Sequence, residues 1–484
     1  MGVADSLGNW AGEQGSLYQH LANALRTAIE RGDLRVGQRL PAERIFARDL
    51  AVSRTTVAGA YTLLKEEGWL ESRQGSGTVV SRRPQNAEEL ARALDPIPSL
   101  RGNAFLQEGA AIPIDMATAA LPGCAEVSQA IRSITERELS ALLASNGYAP
   151  AGLGILRQAV ADHFAHMGVP TTAQQILITT GDQQAISLLV DMFARSGDTV
   201  VVENPTSPGA LDAFRTAGVH LRSVPVDQHG ASLDELDKLV AGTPVRLIYL
   251  IPTFHNPTGV VLSPERRRRV ARLARELQVT VIEDMSHANI ALRSQPQPPI
   301  AQATQSSWLI TIGSMSKLFW GGLRVGWIRA AEPIINRLMR HKAVADLGTP
   351  LLSQLVAARL LPRAEEVQSE RQAMLVARLE RISRLIGAAL PSWRWHAPEG
   401  GLSLWIKLPS GQASAFSQVA LRHGVAIVPG TLLSADGSHD DHLRLSFGLD
   451  PEVLDIGIDR LACAWQAYIQ GAQSRAYQEP QILV

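Results

Sequence analysis

Cysteine is nearly missing from this chain: 484 residues carry two, Cys124 and Cys463. That is too few for a disulfide framework, and both read as ordinary packing residues of a reducing compartment. Long uncharged apolar runs are missing too, which excludes an obvious bilayer span. The opening segment Met-Gly-Val-Ala-Asp-Ser-Leu-Gly-Asn-Trp has no basic stretch followed by an apolar one. Export and membrane insertion are both disfavoured, so a cytoplasmic location with no membrane partner is expected. Net charge is absent as well, because 46 basic residues balance 46 acidic ones. No global field draws the chain onto a polyanion, and any such contact must be local. The balance is uneven along the chain: from Leu17 to Arg83, eleven basic against seven acidic residues leave a surplus of four. The length suits two or three domains, each with enough apolar sequence for a core.

The basic N-terminal stretch has helical punctuation. Leu17, Leu21, Leu25 and Ile29 recur every four residues and stop at Gly32, an amphipathic helix with a glycine stop. Leu40-Pro41-Ala42-Glu43-Arg44 then places a proline in a first-turn position, and Ile45 and Leu50 continue a second short helix. Ala51-Val52 is a tight connection. Ser53 caps a third helix, Arg54, Thr55 and Thr56 fall in its first turn, and Val57, Tyr61 and Leu64 make its core-facing stripe. Two helices joined so closely fit a helix-turn-helix, whose second helix offers its first turn to the major groove. Hydroxyls and amides there can hold phosphates, and Arg54 can reach a guanine edge. Trp69 to Arg73, the turn Gln74-Gly75-Ser76-Gly77 and Thr78-Val79-Val80 read as a β-hairpin wing. The ordered motifs Gly-Asp-Leu-Arg-Val-Gly-Gln-Arg-Leu-Pro-Ala-Glu-Arg, Val-Ser-Arg-Thr-Thr-Val and Gly-Ser-Gly-Thr resemble the GntR family of regulators over residues 17 to 80. The resemblance implies double-stranded operator DNA as partner. Its contacts would be Arg44, Arg54, Thr55 and Thr56, around the Ser53 cap, with Gly75, Gly77 and Thr78 at the minor groove. The competing reading is a small helical docking domain with solvated arginines.

Residues 81 to 112 read as a semi-rigid linker. Beyond them, short apolar runs alternate with amphipathic stretches: Ile176-Leu177-Ile178, Val200-Val201-Val202, Leu247 to Leu250, Val279 to Ile282 and Leu309 to Ile312. Such alternation predicts a largely parallel α/β sheet, with chemistry at the carboxyl ends of its strands. Motifs follow those strands. Thr180-Gly181-Asp182-Gln183-Gln184 opens a helix whose amides and dipole suit a phosphate. In His255-Asn256-Pro257-Thr258-Gly259, the Asn256 amide can donate to a phenolic oxygen. Asp284 can face a pyridine nitrogen and keep it protonated. Finally, Lys317 in Gly-Ser-Met-Ser-Lys stands seven residues before Arg324 in Gly-Gly-Leu-Arg-Val-Gly-Trp. Lysine amine, hydroxyls and guanidinium at that spacing suit an aldehyde cofactor bearing a phosphate, pyridoxal 5'-phosphate (PLP).

In this order the motifs resemble fold-type I, class I/II aminotransferases over roughly residues 113 to 475. The resemblance implies a large mainly parallel sheet domain with a smaller α/β subdomain. Lys317 would form the Schiff base, Asp284 would pair with the ring nitrogen, and Asn256 would bond the ring oxygen. Gly181, Asp182, Ser314 and Arg324 would hold the phosphate, and Arg444 a substrate or effector carboxylate. Tyr148 would reach the phosphate of a neighbouring subunit in a head-to-tail homodimer. No metal site is expected. Two departures stand out: Ser207 and Ser286 occupy places where relatives often carry tyrosines, which casts doubt on turnover more than on Schiff-base formation. Phe254 or Trp320 are candidates to compensate. The run Glu265-Arg266-Arg267-Arg268-Arg269 reads as a solvated helix face rather than a second nucleic-acid patch, and Trp393 and Trp395 as core of a C-terminal subdomain.

Nearly the whole chain is similar to the MocR subfamily of GntR-type regulators. That similarity implies an N-terminal extension (1–16), a winged helix-turn-helix (17–80), a linker (81–112), an aminotransferase-like effector domain (113–475) and a tail (476–484). The implied function is a PLP-dependent transcriptional regulator that senses PLP or an amine or amino acid. The alternatives are a working aminotransferase with an accessory DNA-binding module, and a DNA-binding protein whose pocket stays empty.

Overall fold

The computed structural model describes residues 16–30, 33–34, 37–73, 77–80, 114–304 and 306–476, with residues 3, 7 and 10. Gly32, Gly75, the linker 81–112 and the tail from 477 lie outside the described residues. The chain divides into two compact units, Met1–Pro98 and Ser99–Val484.

In the first unit, α1 (Leu17–Glu30), α2 (Glu43–Asp49) and α3 (Arg54–Glu66) precede a hairpin of β1 (Leu70–Arg73) and β2 (Gly77–Val80). The core is made by Leu21, Leu25, Phe46, Val57, Tyr61, Leu64, Trp69 and Val80. Full burial of such side chains is worth about 1.5–3 kcal/mol each, enough to hold a small module together. Ser53 caps α3 as its sequence suggests, accepting from the Thr56 amide at 3.1 Å. Two readings of α2 need correction. Its cap is Ala42, so Pro41 stands before the helix rather than in its first turn, and the Pro41 carbonyl accepts from the Tyr61 hydroxyl at 2.9 Å. The buried face is Phe46 and Ala47, while Ile45 is exposed. Phe46 stacks on Tyr61, and seven residues are too few for apolar spacing to choose a face.

The second unit is built on an eight-stranded sheet. Its strands are β4 (Ile176–Thr179), β5 (Thr199–Asn204), β6 (His220–Asp227), β7 (Gly230–Ala231), β8 (Val245–Leu250), β9 (Thr280–Asp284), β10 (Leu309–Ser314) and β11 (Gly326–Arg329). The order is β4-β11-β10-β9-β8-β5-β6-β7. Strands β10, β9, β8, β5 and β6 run parallel, whereas β11 is antiparallel to both neighbours. Side chains alternate between faces along each strand. Leu177, Val200, Val202, Leu247, Tyr249, Ile282, Ile310, Ile312 and Ile328 share one core with helices Asp182–Phe193 and Pro208–Thr216. Ile176, Ile178, Val201, Ile248, Leu250, Val281, Leu309 and Trp327 share the other with Gly154–His166 and Pro264–Glu276. Both faces being covered explains why these strands read as continuous apolar runs.

A smaller, antiparallel sheet follows, β12 (Arg394–Trp395), β13 (Ser403–Lys407), β16 (His442–Ser446) and β15 (Val428–Pro429) in that order. Beside it β14 (Val425–Ala426) pairs in parallel with β3 (Ile114–Asp115). Trp393 is buried edge-to-face against Phe416 and Trp465 in the core of this subdomain.

Candidate cofactor site and nucleic-acid interface

The carboxyl ends of β4, β9 and β10 bring the phosphate-type residues into one line. Ser314 pairs across with Gly326, and Gly326 with Thr179, so the antiparallel β11 sets the Ser314 end of β10 beside the turn after β4. Gly181 caps the helix Asp182–Phe193 at φ 90°, a conformation open to glycine. A Cβ there would lie 2.8 Å from Arg324 Nη2, and one on Gly326 would lie 2.7 Å from the Gly181 carbonyl carbon. The exposed Arg324, left-handed at φ 51°, donates from Nη2 to the Thr180 carbonyl at 2.7 Å. Ser314 Oγ lies 2.7 Å from Ser316 Oγ. Helix amides, a guanidinium and two hydroxyls around a space only glycines leave open form a donor set that fits a phosphate dianion.

Asp284, at the end of β9, is buried. Its carboxylate accepts from the Tyr249 hydroxyl at 2.5 Å and the Ser286 amide at 2.8 Å. Burial pushes its pKa up, the nearby Asp182 carboxylate pushes the same way, and the hydrogen bonds from Ser286 and Tyr249 oppose them. Lys317 is half-buried and donates from Nζ to the Ala119 carbonyl at 2.7 Å. Arg444 is buried in the small sheet and donates to Asn256 Oδ1 at 3.0 Å and to the Ala117 carbonyl at 2.6 Å. A large-domain amide and a small-sheet guanidinium therefore meet directly.

Phe254, His255, Asn256, His287 and Gly400 line a small cleft here. His287 is buried with no hydrogen-bond partner for Nδ1. Burial, then the charges of Lys317 and Arg444, hold its pKa well below the ordinary histidine value. Ser207 is half-buried at the start of its helix and Ser286 is buried. The Phe254 ring packs on Gly400, where a Cβ would lie 2.2 Å from it, and Trp320 packs likewise on Gly322 at 2.3 Å. Tyr148 stands apart, 63% exposed.

Tyr249 and His287 escape a reading by motif. Tyr249 looks like one more apolar strand residue until β8 and β9 pair, and His287 is linked to Lys317 and Arg444 only in space. The arginine run corrects the sequence reading. Of its four members only Arg268 is exposed. Arg266 is held by Asp227 at 2.7 Å, and Arg269 by Asp234 and Asp237. Arg267 is buried on the carbonyls of Leu262, Pro252 and Pro298. The helix turns three of these arginines onto the end of β6, the helix Leu233–Gly242 and neighbouring loops, so those three cement the fold rather than face solvent.

In the first unit, Ser53 Oγ lies 2.7 Å from Thr55 Oγ1 and 2.8 Å from Thr56 Oγ1, a compact hydroxyl cluster at the mouth of α3. Arg54 is 71% exposed, 3.5 Å from Glu43, and Arg44 is exposed. Gly77 and Thr78 open β2. Arg39, not singled out by the sequence, bridges to Val79 and lays its guanidinium against Gly77.

Residues 115–461 match the aminotransferase class I and II family, and residues 17–80 match the bacterial regulatory proteins of the gntR family. An uncharacterized HTH-type transcriptional regulator of Bacillus subtilis is 29% identical, covering 89% of this chain and 92% of its own. The probable rhizopine catabolism regulatory protein MocR of Rhizobium meliloti is 29% identical, over 75% of this chain and 77% of its own. Among solved structures, the alpha-aminoadipate aminotransferase of Thermus thermophilus, in complex with N-(5'-phosphopyridoxyl)-L-leucine, is 29% identical with a TM-score of 0.68, covering 74% of this chain and 93% of its own. The chain thus belongs to the aminotransferase class I and II family and, with a gntR-type domain in front, has the architecture of the MocR subfamily of GntR-type regulators.

Proposed function

We propose that this protein is a transcriptional regulator that binds operator DNA through its winged helix and senses PLP, or an amine or amino acid, through its aminotransferase-like unit. The observation that carries this reading is the union, in one polypeptide, of a capped helix presenting Arg54 and a strand-end site holding Lys317, Asp284 and Arg324. PLP is the cofactor of the second unit, supplying an electrophilic aldehyde and an electron-withdrawing ring. Lys317 offers its amine to that aldehyde. Asp284 would pair with the ring nitrogen, its carboxylate being held by the Tyr249 hydroxyl and the Ser286 amide. Asn256, whose carbonyl accepts from Arg444, would offer its NH₂ to the ring oxygen. Arg324, Ser314 and the amides of Gly181 and Asp182 would hold the phosphate. The Asp182 carboxylate would repel a phosphate, so its backbone serves here.

With PLP bound, an incoming amine would compete with the Lys317 amine, whose charge acts on His287, and a carboxylate on that amine would compete with Asn256 for Arg444. Both changes act where the large and small sheets of the unit meet, which supplies a two-state element for a signal. Tyr148, exposed in the single chain, is suited to reach the phosphate of a second copy in a head-to-tail homodimer. Among the described residues no helix is long and apolar enough to cross a membrane.

The second reading is a working aminotransferase. The meeting of Lys317, Asp284, Asn256, Arg324 and Arg444 at one site favours it, and serines at 207 and 286 weigh against efficient turnover. An absorbance titration with amino acids and amines, run beside Lys317→Ala, tests both. Binding to duplexes selected from a random pool is followed in the same samples. The regulator reading expects a Lys317-dependent cofactor band and a duplex affinity that changes with cofactor or with one amine. Affinity indifferent to cofactor, to every amine and to Lys317→Ala would end the sensing proposal. Steady keto acid production would favour the enzyme.

A further inference from the structure

The small sheet carries a group of side chains that the cofactor site does not use. His439, Asp441 and His442 bring one ligand atom each within 4.8 Å of one another, the one such group among the described residues. It forms on a closed turn. The His442 amide donates to the His439 carbonyl at 3.0 Å, and His439 sits in the left-handed region at φ 64°. Gly430 packs so tightly against this turn that a Cβ would lie 2.2 Å from the His439 carbonyl oxygen. The intervening Asp440 is turned away, accepting from the amide and hydroxyl of Ser414 at 2.8 Å.

The two imidazoles are 5.6 Å apart between centroids and nearly perpendicular at 88°. Metal–nitrogen bonds of about 2.0–2.1 Å in a tetrahedral shell put two such rings about 5–6 Å apart. Trp405 sheathes both, stacking on His442 at 5.0 Å and meeting His439 edge-on at 5.9 Å. Asp441 lies 2.5 Å from His442 Nδ1 through Oδ1. Its Oδ2 lies 3.5 Å from Lys407 Nζ, a cation that partly satisfies the carboxylate and competes with a metal.

We propose that His439, Asp441 and His442 form a binding site for a zinc-type divalent cation, separate from the cofactor site. Two imidazoles and a carboxylate are the donor set such borderline ions select over magnesium or calcium. Three protein ligands leave a position for water. The cation would brace the loop leading into this turn. That loop reaches the end of β5, where Asn204 Nδ2 donates to Asp436 Oδ1 and Ser438 Oγ, both at 3.1 Å.

The test is equilibrium dialysis of untagged, chelator-stripped full-length chain against Zn²⁺ alone in phosphate-free buffer, without PLP. One equivalent per chain is expected. His439→Ala with His442→Ala should remove it, and Asp441→Asn should weaken it. Lys407→Gln should tighten it, because the competing cation is gone, while His423→Ala at the exposed His423 should leave it unchanged. Melting of each variant without metal shows that it folds, and Zn²⁺ should raise the melting temperature of wild type but not of the double variant. Zinc bound equally by wild type and the double variant, no stoichiometric binding by wild type, or no gain with Lys407→Gln would overturn the proposal.

Discussion

Tyr249→Phe removes one oxygen from the proposed cofactor site, beside Asp284, and little else. The hydroxyl donates to Asp284 at 2.5 Å, while the ring packs edge-to-face on Phe214 at 5.8 Å, a contact that phenylalanine keeps. A hydrogen bond to a charged group is worth about 1.5–3 kcal/mol, so the dissociation constant for PLP should rise about 10- to 150-fold. The sign in pH follows from Asp284. Burial raises its pKa and the Tyr249 bond opposes that rise, so losing the bond sends the pKa further up. In the proposed site, the attraction between carboxylate and protonated ring nitrogen would be present above that pKa and would fade as pH falls through it. In the variant this loss should therefore begin at higher pH. The assay is a PLP titration by absorbance across a pH series, with melting as the control for the fold. An unchanged affinity, or a loss that moves to lower pH, would refute the argument.

Arg267→Ala should destabilise the second unit by about 3–5 kcal/mol, since it strips a buried cation from three carbonyls and from the range of buried Glu283. Arg268→Ala should leave chemical denaturation unchanged. Arg54→Ala should weaken binding to selected duplexes by about 1–3 kcal/mol and relax preference at one base position, with no change in melting because the side chain is mostly exposed. His287 has a folded-state pKa well below its ordinary value. Below about pH 6.5 the unfolded chain therefore takes a proton that the fold refuses, and stability falls. His287→Phe should flatten the melting temperature between neutral and mildly acidic pH.

Much of the architecture is legible because it rests on local pattern. Ser53 announces its cap, and the doubly buried strands announce themselves as β-branched runs. Gly326–Arg329 does not, because a four-residue strand opening on glycine is chosen by the gap between β4 and β10 rather than by its own residues. The same holds at the site. Lys317, Arg324 and Asn256 stand in motifs, but Tyr249 gains its meaning only when β8 lies beside β9, and His287 only when the small sheet brings Arg444 near. The arginine run misleads because helical spacing says which side chains share a face, and not that a strand end, a second helix and loops will meet them there.

The bond from Arg444 to the Ala117 carbonyl joins residues 327 apart in sequence, whereas the ion pair from Arg26 to Glu67 in the first unit spans 41. A chain emerging from the ribosome starts with its N-terminus, and short-range closures form sooner than long ones. The DNA-reading unit can therefore finish folding while most of the other is still unsynthesised, and the pocket is complete only after Arg444 has emerged. During that interval a nascent chain can hold DNA before it can answer to any small molecule.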